Sequence, residues 1–182
     1  MNWVIDPTHS SVTFTIRQRL SKVRGEIKIK EGWIKTENED LSSAKVGVVF
    51  DGATLSISEP PVALTATNYP GITFQSTRVE TKDPSNFKLI GDLTIHGITR
   101  EVTLNAEFNG EETDPTGNRR IGFSADSSLS RKDFSLTWND ALEAGGFMLG
   151  DEVKLDIDVE AVPASVPAGA KATEAEAALV SG

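Results

Sequence analysis

Near its C-terminal end the chain alternates without interruption: Val153, Leu155, Ile157 and Val159 against Lys154, Asp156, Asp158 and Glu160. Successive side chains of a β-strand point to opposite faces, so this spacing predicts a strand with one dry face and one wet face. The same period of two recurs along most of the sequence. Val12, Phe14 and Ile16 alternate with Thr13, Thr15 and Arg17, and Ile27 and Ile29 with Lys28 and Lys30. Ile72 and Phe74 alternate with Thr73 and Gln75, and Val102, Leu104, Ala106 and Phe108 with Glu101, Thr103, Asn105 and Glu107. Ile121, Phe123 and Ala125 follow, then Phe134, Leu136 and Trp138. Ala44 to Phe50 is more continuously apolar, and Phe87 to Ile95 contains Gly91, which suits a bend or bulge. Alternation this clean belongs to antiparallel sheet, which packs one face and leaves the other in water.

The connections carry turn chemistry. Asp6-Pro7-Thr8-His9-Ser10 sets a proline behind an aspartate able to cap its own turn. Ile95-His96-Gly97-Ile98-Thr99 reads as a tight hairpin between two alternating runs, and Asn109 to Asn118 as a longer polar loop around Pro115 and Gly117. No amphipathic helix longer than about ten residues is visible in residues 1–162, and no solenoid repeat. About eight consecutive strands without crossover helices have two solutions, a sandwich or a closed barrel. Periodicity does not choose between them.

Length and composition bound the rest. The 182 residues suit one domain, expected over 1–162. Residues 163–182 are rich in Ala and Pro and lack aromatics, which predicts a flexible tail; Thr173 to Glu176 has the spacing of a capping box before Ala177. A net charge of −9 with no local Lys/Arg cluster argues against nucleic acid and against anionic membrane surfaces. No apolar stretch approaches the ~18 residues of a membrane-spanning helix, so no stable insertion is expected. Met1 to Asp6 shows neither a basic segment nor a long apolar one, and the expectation is a cytoplasmic chain, or a periplasmic or secreted one if a signal has been trimmed. The absence of cysteine removes disulfides, thiolate nucleophiles and Cys-based metal sites.

Chemical motifs are missing. There is no G-x-S-x-G elbow, no P-loop and no G-x-G-x-x-G after a strand. Gly145-Gly146 reads as a turn or bulge beside a strand. The two histidines, His9 and His96, both fall in predicted turns and lack a sequence-adjacent ligand set, so neither a metal nor another cofactor is expected. Phe14, Phe74, Phe108, Phe123, Phe134 and Trp138 lie on the apolar sides of their strands, as do Ile16, Leu104 and Leu136. Such residues fill a dry interior or line a ligand tunnel. His9, Arg24 and Arg131 are the candidates for touching the polar end of a ligand; for each, a purely structural hydrogen-bonding role is the alternative.

Several segments in order then carry a resemblance. They are Trp3-x-Ile5-Asp6-Pro7-x-His9-Ser10-x-Val12-x-Phe14, Val23-Arg24-Gly25, Tyr69-Pro70-x-Ile72-x-Phe74-x-Ser76 and Gly91-Asp92-Leu93-Thr94-Ile95-His96-Gly97-x-Thr99. Gly122-Phe123-Ser124, Arg131-x-Asp133-Phe134-x-Leu136-x-Trp138 and Leu149-Gly150-Asp151-x-Val153 complete the set. Across about residues 2–161 the chain resembles the YceI-like family. The resemblance implies an extended lipocalin-like antiparallel barrel of about eight strands holding a polyisoprenoid, an isoprenoid quinone or a fatty-chain lipid. It implies also a homodimer, and no catalytic activity. The chain departs from the family between Ser56 and Asn68, where a helical segment rich in Arg, His, Asp and Phe near the barrel entrance is replaced by a shorter stretch with Pro60-Pro61. Competing readings are a ligand-free stress-response or interaction module, and an enzyme for a small apolar substrate using His9, Arg24 or Asp133 as acid or base.

Overall fold

The computed structural model describes residues 1–18, 21–59, 61–63, 71–136 and 150–164. Among these residues are strands β1 (Asn2–Ile5), β2 (Ser11–Gln18), β3 (Ser21–Glu37), β4 (Asp40–Glu59) and β5 (Pro61–Ala63). They continue with β6 (Thr73–Thr81), β7 (Asn86–Ile95), β8 (Ile98–Thr113), β9 (Arg119–Ser130) and β10 (Glu152–Pro163), with 3-10 turns at Pro7–His9 and Arg131–Phe134. Every pairing is antiparallel, and β3 returns to pair with β4 as well as β2, so the meander closes on itself. Eight strands form the ring: β2, β3, β4, β6, β7, β8, β9 and β10. The choice between sandwich and barrel therefore falls to a closed lipocalin-like barrel, which abolishes free sheet edges wherever the ladders are complete.

The two remaining strands extend the wall. β1 pairs with β3 and β10 at the level that β2 leaves vacant, so β1 and β2 act as one stave broken by the Pro7–His9 turn. That break has a local cause: the Asp6 side chain accepts from Thr8 N–H while Pro7 occupies the first helical position. β5 folds back on β4 through Ser56↔Ala63 and Ile57↔Val62, so the first part of the departing segment is a hairpin extension; residues 64–68 lie outside the described residues.

Reversals follow their sequence signals. His96 and Gly97 both have positive φ, at 57° and 72°, the geometry of a two-residue hairpin that matches strand twist. The expected loop over Asn109–Asn118 is shorter than its polarity suggested. β8 runs to Thr113, and the reversal is confined to Asp114–Asn118, where Asp114 Oδ1 accepts from the amides of Thr116 and Asn118. We call the end with this reversal and the Asn38–Glu39 turn the lower end, and the end with His96–Gly97 and Arg131–Phe134 the upper end. β10 reaches Pro163, one residue past the expected domain limit and the first residue of the expected tail over 163–182; residues 165–182 lie outside the described residues.

Aromatic rings lie over glycines where the wall bends. A Cβ on Gly25 would fall 2.2 Å from Phe14 Cζ and 2.5 Å from the Ser56 carbonyl oxygen; one on Gly91 would fall 2.7 Å from Phe74 Cζ. The missing side chains let the strands curve inward while the rings keep the inner face dry.

Candidate functional site

The dry faces of the staves enclose two adjoining chambers along the barrel axis. The lower one has a volume of about 120 Å³ and the upper about 80 Å³. Val12, Phe50, Leu93 and Leu155 line both and form the waist between them. The lower chamber is lined by apolar side chains throughout, including Phe74, Phe87, Leu104 and Phe123. The upper chamber adds Phe14, Leu55 and Leu136, and among its described lining residues one charge, Arg131. An apolar cavity of this kind stays dry and takes apolar molecules.

The sequence candidates divide. Phe14 and Leu136 line the upper chamber, and Phe74, Leu104 and Phe123 the lower. Ile16 faces inward but is fully buried between Val23 and Val153, making solid wall. Phe108 sits behind the lining with its ring 5.3 Å from that of Phe123. Phe134, also fully buried, packs beneath its 3-10 turn and borders a polar cleft on the outer wall with Thr103 and Ser128. Trp138 and Gly145-Gly146 lie outside the described residues.

Phe50, Phe87 and Leu155 line the chambers and were not among the candidates. Phe87 and Leu89 do alternate with Lys88, a signal that was available. Phe50 ends an apolar run whose faces the sequence left ambiguous: Val46, Val48 and Phe50 point inward, while Gly47 carries the Trp33 ring on the outer wall.

The three polar candidates go to different places. Arg131 is buried at 8% exposure; its Nε donates to Gly150 O at 2.8 Å and its NH1 group to Leu136 O at 3.2 Å. The guanidinium thus ties the chain entering residues 137–149 to the chain leaving them, at the edge of the upper chamber. Arg24 is exposed on β3, on the wet side of the wall. His9 is exposed too, and it borders an outer groove with Glu112 and Asp158 instead of either chamber.

His9 belongs to a charge network that fastens the β1–β2 break to β8, β9 and β10. Its Nδ1 donates to Asp6 Oδ2 at 2.7 Å, and Arg120 reaches Asp6 at 2.9 Å, Asp114 at 3.2 Å and Glu160 at 3.2 Å. Burial raises the Asp6 pKa, but hydrogen bonds from Thr8, Arg120 and His9 outweigh it and hold this carboxyl well below the usual carboxylate range. Hydrogen bonds from the Thr116 hydroxyl and the Asn118 amide lower that of Asp114 in the same way. His9 and Asp133 stand near opposite ends of β10 and Arg24 on β3, so the three alternative acid–base candidates lie apart from one another. Among the described residues no group of three or more His, Asp or Glu is placed to hold a metal ion.

A closed antiparallel barrel with apolar inner faces defines the class: a lipocalin-like barrel. Within that class the chain belongs to the YceI-like family, whose domain matches residues 3–161. UPF0312 proteins of Staphylococcus aureus are 31% identical over 164 residues, covering 87% of this chain and 96% of theirs. Burkholderia cenocepacia BcnA superposes with a TM-score of 0.67 over 86% of this chain and 98% of its own, at 17% identity. A polyisoprenoid binding domain from Saccharophagus degradans superposes with a TM-score of 0.59 over 88% and 98%, at 12% identity. At such identities the two structures speak to the fold alone.

Proposed function

We propose that the protein carries a single apolar chain-like molecule in the barrel: a polyisoprenoid, an isoprenoid quinone or a fatty-chain lipid. The observation that carries this reading is the pair of adjoining chambers with apolar lining and Arg131 as their charged member. Transfer from water contributes about 0.8 kcal/mol per buried methylene, so roughly ten carbons contribute about 8 kcal/mol, a micromolar affinity before ordering costs. The polar end of the ligand lies in the upper chamber beside Arg131. His9 and Arg24, on the outer wall, take no part. The polyisoprenoid-binding neighbour supports this choice of ligand class.

A filled scaffold that binds no ligand is favoured by one observation, the modest chamber volumes, which fall below the roughly 300–1,000 Å³ of common ligand pockets. One experiment separates the two readings. Purified protein is extracted with organic solvent and the extract analysed by mass spectrometry, alongside uptake of added polyprenol and fatty alcohols. The carrier reading expects a co-purifying apolar molecule or saturable uptake of one per chain. Neither lipid in the extract nor uptake would leave the scaffold reading standing.

A further inference from the structure

The chambers together, about 200 Å³, compare with roughly 150 Å³ for a cavity that takes one benzene ring. They hold roughly eight to ten carbons. A longer chain must leave the barrel somewhere, and the wall has a gap in the right place.

β4 and β6 pair through three residues, Gly47↔Gln75, Val48↔Phe74 and Val49↔Thr73. Below them the ladder ends at a substitution: Val46 N–H donates to the Ser76 hydroxyl at 2.8 Å instead of to a backbone carbonyl. The register of β6 against β7 slips between Ser76 and Arg78, a bulge that turns the strand away from its neighbour. From there to the lower end, β4 pairs with β3 at Lys45 and again at Asp40, with Leu41 to Ala44 bulged between those pairs, and β6 from Arg78 to Thr81 pairs with β7. Among the described residues no strand fills the space between them. The inward side chains along the β4 lip are Leu41, Ala44 and Val46, all half-buried and all part of the lower-chamber lining. Apolar surface therefore runs unbroken from the chamber to the gap, flanked by backbone groups without a strand partner. At the neighbouring side of the same end, Trp3 is buried under the Arg119 guanidinium, which Glu111 and Glu39 hold, so that side is shut.

Resting on the carrier reading, we infer that the β4–β6 gap is a lateral port through which the part of a ligand chain exceeding the chambers runs out along Leu41, Ala44 and Val46. The ligand class this geometry selects is a linear chain longer than the interior, with one end anchored inside.

The test is a chain-length series, octanol, decanol and hexadecanol, displacing an apolar fluorescent probe from wild type, Val79→Trp and Thr77→Trp, two positions on the β6 side of the gap that line neither chamber. Wild type is expected to bind hexadecanol at least as tightly as decanol. Each variant is expected to keep octanol and decanol within about twofold and to lose hexadecanol by about tenfold or more, since methylenes shut out of the port stay in water. Retained decanol binding shows that the variants are folded. Hexadecanol binding unchanged in both variants would overturn the port and leave the carrier reading intact. Loss of decanol along with hexadecanol in both variants would also overturn it, because the rim residues would then lie within the chamber. Failure of wild type to bind any of the three would overturn the carrier reading itself.

Discussion

Two seams of one barrel differ sharply. β9 and β10 pair without a slip from Glu152↔Ser130 to Ala161↔Ile121, and their outer faces are fastened by the Arg120 network. β4 and β6 share three register pairs, and the ion pairs of Arg78 run to Glu80 and Glu101, away from β4. Both seams have apolar inner faces. What separates them is whether the backbone bonds are completed across the gap, and that is decided by a bulge and a serine hydroxyl rather than by hydrophobicity. The lesson is that a barrel opens where its ladder is interrupted.

The largest expected effect comes from breaking the complete seam. β10 is paired on both sides at Ile157, so Ile157→Pro removes a ladder bond and should cost about 3 kcal/mol or more in urea unfolding. Ala44→Pro at the interrupted seam should cost less than about 1 kcal/mol, because edges tolerate proline. Equal costs would erase the distinction between the seams.

Gly25→Ala tests the curvature that closes the ring. Its new Cβ collides with Phe14 and with the Ser56 backbone oxygen, and the expected loss is about 2 kcal/mol. Adding Phe14→Leu should recover part of it and leave the backbone clash.

Asp6→Asn weakens the outer fastening of the complete seam. The Asp6 carboxyl titrates below its ordinary 3.8 in the folded chain, so its stabilisation is full above that value and is lost as pH falls through the folded one. Wild type and variant should differ by about 1.5 kcal/mol at neutral pH and converge under acid, as thermal unfolding across pH would show. A constant difference at all pH values would contradict the assignment.

Ser76→Ala is the smallest change, within about 1 kcal/mol in stability. It removes the last bond of the interrupted seam and should speed ligand exchange without altering affinity much, which stopped-flow probe release measures.

The strands were legible because each wet or dry face is a local consequence of period two. The His96-Gly97 reversal and the Asp6 cap were legible for the same reason. Faces became unreadable where the register slips. Trp33 lies over Gly47 on the outer wall, because the slip between Ile29 and Glu31 inverts the alternation of β3. His9 was read as a turn residue or a ligand contact. Its indirect partner through Asp6, Arg120, is more than a hundred residues away and no local signal announces it. The interrupted seam is likewise a fact of pairing between distant strands, and Ser56–Asn68, the segment that departs from the family, gave no hint of it.

The central claim is that a single apolar chain occupies the interior, and Ala125 tests it most directly. It lines the lower chamber opposite Ile157, so Ala125→Phe fills the space a ligand would use. Decanol titration of wild type by isothermal calorimetry is predicted to saturate at one molecule per chain with affinity near micromolar. The folded variant is predicted to bind about tenfold or more weakly, since a Phe ring displaces several methylenes' worth of contact. Equal binding by a folded Ala125→Phe, or no saturable binding by wild type, would contradict the account.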